Sequence, residues 1–370
     1  MKKTLLTLLL TTSILSLAAQ DASDWRLFPV ESDDTVVSLI FAGDIMGHAP
    51  QFKAAYNADT KQYDYDICFK NVKAYIEDAD FAIANLEVPI AGAPYSGYPN
   101  FSSPDALLDA LKNAGYDVLL TANNHVVDRG ASGMKRTIEQ VQKRGFGYAG
   151  SYFDAMQKDT VYPLILQKND FKIALLNYTY GTNGISVPQP LVVNIINTAQ
   201  IISDLKKARQ LADFTVVCIH WGNEYELEAN ATQQKLAAIM TQNGADLIIG
   251  GHPHVVQNAE YLANTDTTKV PVFYSVGNSI SNQRKVNTNG GIMVEVKIGV
   301  KSKRIFETGF LPVYVHKGVL DGKYQYHLIP TTDFAAAPEK FKISTADSTA
   351  LVIFDKNTRQ RLKNFSVYKK

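Results

Sequence analysis

The chain has 370 residues, with 37 basic and 36 acidic side chains and therefore a net charge of +1. This balance argues against a nucleic-acid-binding protein, which usually carries a basic excess on at least one domain. Hydrophobic residues make up 46% of the sequence and charged residues 20%, a mixture that builds a core and excludes a disordered chain. An integral membrane bundle is excluded as well, because the only uninterrupted apolar-rich run lies at the extreme N-terminus.

The N-terminus has the pattern of an export signal. Two lysines precede a Leu-rich run over 4–17 that is too short to span a bilayer as a helix, and small residues follow it. We therefore predict a cleaved signal peptide over 1–20, a polar linker over 21–34, and export to the periplasm or cell envelope. An uncleaved N-terminal anchor is the alternative. No cysteine lies near the cleavage region, so we expect no lipid anchor there.

Apolar runs typical of buried strands alternate with amphipathic segments typical of helices. The predicted strands are 36–41, 81–84, 117–120, 160–167, 171–178, 214–219 and 246–249. The predicted helices are 67–78, 103–115, 134–145, 201–212, 231–243 and 348–363, and most of 256–330 is predicted to be strand. The short break at 168–170 predicts a hairpin. We expect one catalytic domain over 35–315 and a C-terminal extension over 316–370 that packs on it.

Five of the apolar runs end in side chains that can bind metal ions. These side chains are Asp44, Glu87, Asn124 with His125, His220, and His252 with His254. In α/β sheets, ligands bind outside the carboxyl ends of the strands, so we expect these side chains to meet at one edge. Imidazole and oxygen ligands together suit Zn²⁺, Mn²⁺ or Fe and do not suit Ca²⁺ or Mg²⁺ alone.

Each of these residues also has a purely structural interpretation. Asp44 can be a helix N-cap, Glu87 a surface turn residue, and Asn124–His125 a turn pair. His220 can be a core histidine whose hydrogen bonds are satisfied. The strongest single element is His252-Pro253-His254, where proline restricts the backbone and two imidazoles two residues apart in an extended chain face the same side. The conjunction at five strand ends, and not any one residue, indicates a metal site.

Such a set of residues can form a dinuclear metal site. A carboxylate bridges two ions roughly 3.5–4 Å apart, and the pair clamps the attacking and leaving oxygens of a displacement. The ions lower the pKa of a bound water from about 15.7 towards about 7. A histidine that is not a ligand can protonate the leaving oxygen, an effect of about 10²–10⁴ in rate. His125 is the candidate, because Asn124 beside it can supply the amide oxygen.

Six ordered motifs carry a family resemblance. They are Gly43-Asp44, Asn85-Leu86-Glu87, Ala122-Asn123-Asn124-His125 with Asp128 and Gly130, His220-Trp221-Gly222-Asn223-Glu224, Gly251-His252-Pro253-His254 with Gln257, and Ser275-Val276-Gly277-Asn278. Over roughly 35–315 the chain resembles the CapA family of poly-γ-glutamate capsule-synthesis proteins, a branch of the calcineurin-like metallophosphatase superfamily. The resemblance implies an α/β (α+β) fold, a four-layer αββα sandwich with a site for two divalent transition metals, Mn, Zn or Fe.

The resemblance also implies roles for individual residues. The residues at metal-ligand positions are Asp44, Glu87, Asn124, His220, His252 and His254, and His125 is at the general-acid position. Residues expected to orient these ligands or to contact substrate are His48, Asp128, Arg129, Glu224, Gln257 and Asn278.

The chain departs from the broader superfamily at two motif positions. The first motif is usually Asp-x-His, but Met46 stands in the place of that histidine, and His48 lies two residues further on. The bridging residue is usually Asp, whereas here it is Glu87, as in the CapA branch.

Three functions are compatible with these residues. The first is an exported capsule-biosynthesis protein that hydrolyses an envelope phosphoester or a polyglutamate-type substrate with the help of metals. The alternative is a non-catalytic accessory that binds or exports the anionic polymer through its metal site. A structural protein with a decayed site ranks last, because every histidine of the later motifs is in place. The expected partners are the polymer or phosphoester and membrane components of capsule synthesis, with no nucleic acid.

Overall fold

The structure is a computed structural model that describes residues 34–266, 268–320 and 322–368. The predicted signal peptide, 1–20, and the predicted linker up to residue 33 lie outside the described residues. Within the described ranges, we find no helix with the length and apolar character needed to cross a membrane.

The strands and helices follow one another along the whole described chain. In chain order the strands are β1 (Val36–Ile45), β2 (Tyr56–Asn57), β3 (Gln62–Tyr63), β4 (Phe81–Leu86), β5 (Val118–Leu120), β6 (Gly147–Ala149), β7 (Ser151–Tyr152), β8 (Leu164–Lys168), β9 (Phe171–Thr179), β10 (Val192–Val193), β11 (Phe214–His220), β12 (Leu247–Gly251), β13 (Ala259–Ala263), β14 (Lys269–Phe273), β15 (Asn278–Ile280), β16 (Gly290–Gly299), β17 (Arg304–Leu320), β18 (Lys323–Pro330) and β19 (Ser366–Val367). The α-helices are α1 (Ala49–Ala55), α2 (Asp66–Phe69), α3 (Lys73–Glu77), α4 (Ala106–Asn113), α5 (Gly130–Lys143), α6 (Ala155–Val161), α7 (Thr198–Leu211), α8 (Ala231–Gln242), α9 (Thr331–Ala336) and α10 (Thr345–Arg361), with a 3₁₀ turn at Pro338–Lys340.

Two large sheets organise these strands. The first has nine strands in the order β18-β17-β16-β1-β4-β5-β6, with β15 beside β1 and β19 beside β17. The second has six strands in the order β13-β14-β12-β11-β9-β8. Strands β1, β4, β5 and β6 run parallel in the first sheet, as do β9, β11, β12 and β14 in the second. Each sheet therefore has a parallel centre whose strands end at one edge.

Alternate residues of the central strands pack on opposite sides. Leu39 and Phe41 of β1 share one apolar core with Leu175 of β9, which places this core between the two sheets. Their neighbours Ile40 and Leu176 belong to a second core that contains helical side chains. Helix α5 packs on β6, and helix α7 packs on β9 and β11. The predicted four-layer αββα sandwich is confirmed.

The C-terminal segment completes the first sheet. Strand β17 runs across residue 315, and both β18 and β19 pair with it. Helix α10 covers this region, with Leu351 and Phe354 packed against Tyr314 of β17 and Ile329 of β18. The predicted helix over 348–363 is confirmed and begins three residues earlier.

Three predicted elements differ in the structure. The helix predicted over 67–78 is two short helices, α2 and α3, because the chain tightens at 70–72, where Val72 N donates to Phe69 O at 3.0 Å. The strand predicted over 160–167 begins only at Leu164 because helix α6 precedes it, capped by the Asp154 carboxylate on Gln157 N at 2.7 Å. The helix predicted from 103 begins at Ala106. The predicted hairpin is confirmed by the antiparallel pairing of β8 with β9.

We predict that Leu175→Ala lowers the free energy of unfolding by about 2–5 kcal/mol, because Leu175 is fully buried between the sheets and truncation leaves a cavity. Urea denaturation of both proteins measures the difference. Leu211→Ala, at the exposed end of α7, is the matched control and should change stability by less than about 1 kcal/mol. Equal losses in the two variants would contradict a core between the sheets.

Candidate metal centre

The strand ends of the two sheets meet along one edge of the sandwich. Asp44 comes from β1, Glu87 follows β4 and Asn124 follows β5 in the first sheet, whereas His220 ends β11 and His252 and His254 follow β12 in the second. All six side chains are buried. The structure thus brings the six predicted ligand residues together, and it draws them from two facing sheets.

Glu87 belongs to two sets of potential metal ligands. One set consists of Asp44, Glu87 and His220, and the other of Glu87, His252 and His254. Within each set, one ligand atom from each residue lies within 4.8 Å of the others. The Asn124 Oδ1 atom lies 2.8 Å from His220 Nε2, which places this amide with the first set. The shared carboxylate is therefore in a position to bridge two ions.

The buried polar atoms of Glu87 show that these residues fit a metal. Neither carboxylate oxygen has a hydrogen-bond partner among the described residues, although Glu87 is 0% exposed. His220 Nε2 and His254 Nε2 lie 3.4 and 3.7 Å from Oε1. The buried Nδ1 atom of His252 likewise has no hydrogen-bond partner in the described part of the chain. An unpaired buried carboxylate is strongly unfavourable, and a bound cation would satisfy it. Imidazole, carboxylate and amide donors suit a divalent transition metal.

Amide side chains hold the ligand residues in place. Asn85 Nδ2 donates to Asp44 Oδ1 at 2.8 Å. Asn278 Oδ1 lies 3.1 Å from His254 Nδ1, and Asn278 Nδ2 donates to the His254 carbonyl at 3.2 Å. Because an amide oxygen only accepts, His254 Nδ1 carries the proton, and Nε2 is the nitrogen that faces Glu87. Asn278 thus holds His254 in place, and Asn85 holds Asp44.

The segment 252–254 is not extended, which corrects the prediction. His252 and His254 have φ angles of +96° and +57°, in the left-handed region that non-glycine residues rarely adopt. The two rings nevertheless lie near each other, with centroids 6.0 Å apart. Strained backbone of this kind is concentrated at functional sites, where the surrounding structure holds it.

Close backbone contact explains the glycine of the first motif. A Cβ atom on Gly43 would lie 2.0 Å from the carbonyl oxygen of Gly277. The next residue, Asp44, donates its backbone N–H to that same oxygen at 3.0 Å. Glycine at 43 therefore lets β1 and the segment before β15 approach closely enough to place Asp44 and Asn278 at one site.

His125 lies beside the two ligand sets and belongs to neither. Its Nδ1 is 2.7 Å from Asp128 Oδ2, an oxygen that also accepts the backbone N–H of Phe101 at 2.9 Å. The Phe101 ring packs edge-on against the imidazole, with ring centres 4.7 Å apart. The Nε2 atom forms no hydrogen bond with any described residue. His125 is therefore held by one nitrogen and has the other available for proton transfer.

Three other predicted residues are members of neither ligand set. Arg129 Nη1 donates to Ser96 Oγ at 2.9 Å. Gln257 Nε2 donates to the carbonyl oxygens of Glu226 and Glu228, so it positions the loop after β11. Glu224, on this same loop, is exposed. Although partial burial opposes the shift, a hydrogen bond from Tyr225 and the nearby imidazoles lower the pKa of Glu224.

His48 does not occupy the place of a metal ligand in either set. Its Nδ1 lies 3.0 Å from Gln51 Oε1 and 3.3 Å from the backbone nitrogen of Asn282. Burial lowers the pKa of His48 to about 4, so the ring is neutral at physiological pH. Met46 is buried, and its carbonyl accepts a hydrogen bond from Gln51 Nε2 at 2.8 Å.

Burial and mutual charge shift the pKa values of the ligand residues strongly. Burial and the charge of Asp44 raise the pKa of Glu87 well above its usual value. Burial lowers the pKa of His220 to about 3 and that of His252 to about 2, which keeps both imidazoles neutral, as metal ligation requires. Burial acts in the same direction on His254, but Glu87 and Asp44 overcome it and raise the pKa of His254 to about 9.

Comparisons with known proteins show which family the chain belongs to. The model of the family described as "Bacterial capsule synthesis protein PGA_cap" matches residues 38–283. The chain belongs to this family. It is 28% identical over 296 residues to the capsule biosynthesis protein CapA of Bacillus anthracis, covering 76% of this chain and 68% of that protein. It is also 28% identical over 304 residues to the PGA biosynthesis protein CapA of Bacillus subtilis strain 168, covering 77% and 73%. The predicted family is confirmed.

One of the solved structures similar to this chain is described as a novel phosphatase from Mycoplasma pneumoniae. It is 17% identical, has a TM-score of 0.45, and the match covers 76% of this chain and 94% of that one.

In this member of the capsule-synthesis family, two residues outside the predicted set contact candidate ligand residues. The Tyr180 ring lies 4.5 Å from the His252 ring, and Tyr180 is 43% exposed, so it lies at the mouth of the centre. Asn183 Oδ1 accepts a hydrogen bond from Asn124 Nδ2 at 3.1 Å. Both residues follow β9, a strand that was predicted. The rule applied to the other strand ends would have found them.

We predict that Glu87→Gln makes the metal-free protein more stable and abolishes its stabilisation by metal. The substitution removes an unpaired buried carboxylate and with it the shared ligand. After chelator treatment, the melting temperature of the variant should exceed that of the wild type by at least about 2 °C, the shift that ~1 kcal/mol produces in a large domain. Added Mn²⁺ or Zn²⁺ should raise the melting temperature of the wild type alone.

Glu139→Gln on the exposed face of α5 is the matched control for this substitution. It should respond to chelator and metal as the wild type does. An unchanged metal response in Glu87→Gln would show that the buried carboxylate is not a ligand.

Proposed function

We propose that this chain is a metal-dependent hydrolase that cuts an ester or amide bond in capsule biosynthesis. The observation that carries the proposal is the buried carboxylate of Glu87, shared by two ligand sets and without a hydrogen-bond partner among the described residues. The residues that would hold two divalent ions are Asp44, Glu87, Asn124 and His220 for one ion, and Glu87, His252 and His254 for the other. Such ions supply Lewis acidity and lower the pKa of water towards neutrality.

The side chains beside these sets supply the proton transfer. We assign His125 as the general acid that gives a proton from Nε2 to the leaving oxygen or nitrogen. Asp128 accepts the Nδ1–H, which fixes the orientation of the ring and stabilises the imidazolium before the transfer. After the transfer the imidazole is neutral and regains a proton from solvent. Phe101 packs on the ring and limits its rotation.

The family supports the substrate class. Relatives are named for capsule and PGA biosynthesis, which favours a polyglutamate-type substrate or an envelope phosphoester. We further propose that the predicted signal peptide over 1–20 exports the protein to the cell envelope, where it works with membrane components of capsule synthesis. The competing function, an accessory that only holds the polymer, requires metal-dependent retention of polyglutamate without shortening of the chain.

We predict close to two transition-metal ions per chain in mature protein purified without chelator. Elemental mass spectrometry of the purified protein measures this number, and light scattering with circular dichroism confirms that the sample is folded. One ion or none in folded protein would contradict the dinuclear proposal and would favour the accessory function.

We predict different losses for ligand and proton-donor variants. Asn124→Ala and His252→Ala should lose both metal and turnover while the fold survives, because each removes a donor. His125→Asn should keep the metal and lose about 10²–10⁴ in turnover, the usual contribution of a general acid. Release of p-nitrophenol from its phosphate esters and the chain length of γ-linked glutamate oligomers are the two activity measurements.

His327→Asn, on β18 in a separate histidine pair with His316, is the matched control and should keep metal and turnover. Turnover retained in both Asn124→Ala and His252→Ala would defeat the proposed function. Metal-dependent binding of the oligomers without any cutting by the wild type would establish the accessory function instead.

A further inference from the structure

A cleft of about 500 Å³ has none of the candidate ligand residues in its walls and takes no part in the chemistry proposed above. The loop over 283–289, the end of β17 and helix α10 form its walls. Three cationic side chains line it: Arg284, Lys285 and Lys317. Among the lining residues, Asp347 is the one acid.

The three cations lack carboxylate partners. In the described part of the chain, none of them forms an ion pair with an Asp or Glu side chain. The Lys317 ammonium donates to the backbone carbonyl of Gln283, and Arg284 and Lys285 are exposed. Partial burial and the nearby Arg284 charge lower the pKa of Lys317 to about 8, which is the response of an ammonium without a counter-ion. An anion entering this cleft would therefore meet unneutralised positive charge.

The cleft connects to the metal centre through two chains of contacts. The Lys285 ammonium lies 3.6 Å from the centre of the Tyr225 ring, and that ring lies 6.4 Å from the ring of His254. On the same loop, Gln283 Oε1 accepts a hydrogen bond from Asn278 Nδ2 at 3.1 Å, and Asn278 orients His254. On each path one residue separates the wall of the cleft from His254, so the cleft lies near the metal centre.

The remaining walls combine amide side chains with apolar and aromatic ones. Tyr314, Tyr324, Ile353 and Phe354 line the cleft together with the cations. Apolar walls with separate positive charges suit a chain whose anionic groups are joined by aliphatic segments, because the segments pack on the walls while the anions meet the cations. A bare phosphate chain has no aliphatic part to pack.

We infer that this cleft is a subsite that holds the carboxylates of a polyanionic substrate beyond the bond that is cut. The inference rests on the proposed function, because the reacting bond must lie at the metal centre for the rest of the substrate to extend into the cleft. It assigns binding of the distal part of the substrate to Arg284, Lys285 and Lys317. None of these residues is a proposed metal ligand or proton donor. The occupant is the polyglutamate-type substrate of the proposed function, a linear chain of carboxylates with short aliphatic spacers.

The test is direct binding of a γ-linked glutamate hexamer to metal-loaded protein by isothermal titration calorimetry. All proteins carry His125→Asn, so that the hexamer is not consumed. Arg284→Gln/Lys285→Gln removes two exposed charges, and Lys317→Gln removes the half-buried one. Lys206→Gln/Lys235→Gln, at exposed positions of α7 and α8, is the matched control with an equal change in net charge. Metal content and melting temperature of each variant show that the centre and the fold are intact.

We expect Arg284→Gln/Lys285→Gln to weaken hexamer binding by at least about tenfold, and Lys317→Gln by about fivefold, as expected for the loss of contact ion pairs near the surface. The control should stay within about twofold of its parent. Raising the ionic strength should weaken binding in the parent more than in the double variant, because the lost interactions are screened by salt. Hexamer binding by both cleft variants at the strength of the control would overturn the inference.

Two further arms separate the possible failures. Polyphosphate of the same charge that binds more tightly than the hexamer, with the same dependence on the cations, would overturn the assignment of an aliphatic chain. In one outcome, binding depends on the cleft cations but the wild-type protein, with His125 intact, never shortens the hexamer. This outcome would support the subsite and contradict the hydrolase. In the opposite outcome, the wild-type protein shortens the hexamer and the cleft variants bind it normally. This outcome would support the hydrolase and contradict the subsite.

Discussion

The site depends on one buried carboxylate that has no hydrogen-bond partner within the described structure. Glu87 follows β4 directly, and the imidazoles of His220 and His254 approach it from the opposite sheet. A side chain of this kind opposes folding by several kcal/mol unless a cation or a proton neutralises it. The surrounding amides bond to Asp44 and His254 and leave Glu87 bare, so the arrangement is tuned for an ion and not for stability of the metal-free chain.

The two facing sheets make this arrangement possible. A single parallel sheet presents its strand ends in a row, whereas here the ends of β1, β4 and β5 face those of β11 and β12. Candidate ligand residues can then approach a metal position from two sides, instead of lying in a row along one side of it. Where the two sheets meet, a Cβ atom on Gly251 of β12 would lie 2.9 Å from Asp44 Oδ1 of β1, so the absence of a side chain at 251 permits this close approach. The same apolar core between the sheets that stabilises the fold therefore also sets the distances in the centre.

Much of the fold and the ligand set was accessible from the sequence because both follow simple periodic rules. Alternating buried runs revealed the parallel strands, and polar residues at their ends revealed Asp44, Glu87 and His220. The prediction was wrong about the backbone of 252–254, because an extended chain is the default for such a segment and only tertiary packing imposes a positive φ. Nothing local in the sequence placed Lys317, on β17, in one cleft with Arg284, since this juxtaposition depends on strand pairing far along the chain.

Met46 stands where the sequence resemblance predicts a histidine, which bears on whether one proposed ion position is short of ligands. Met46 is buried in the apolar core, and the nitrogen Nδ1 of His48 faces Gln51 and Asn282, so neither residue supplies an imidazole in place of the missing one. The position keeps Asp44, Glu87 and His220, with the Asn124 oxygen beside them. Catalytic metal sites commonly have three protein ligands and leave the remaining coordination position open for water or substrate. The substitution therefore removes one donor from a set that still meets this number.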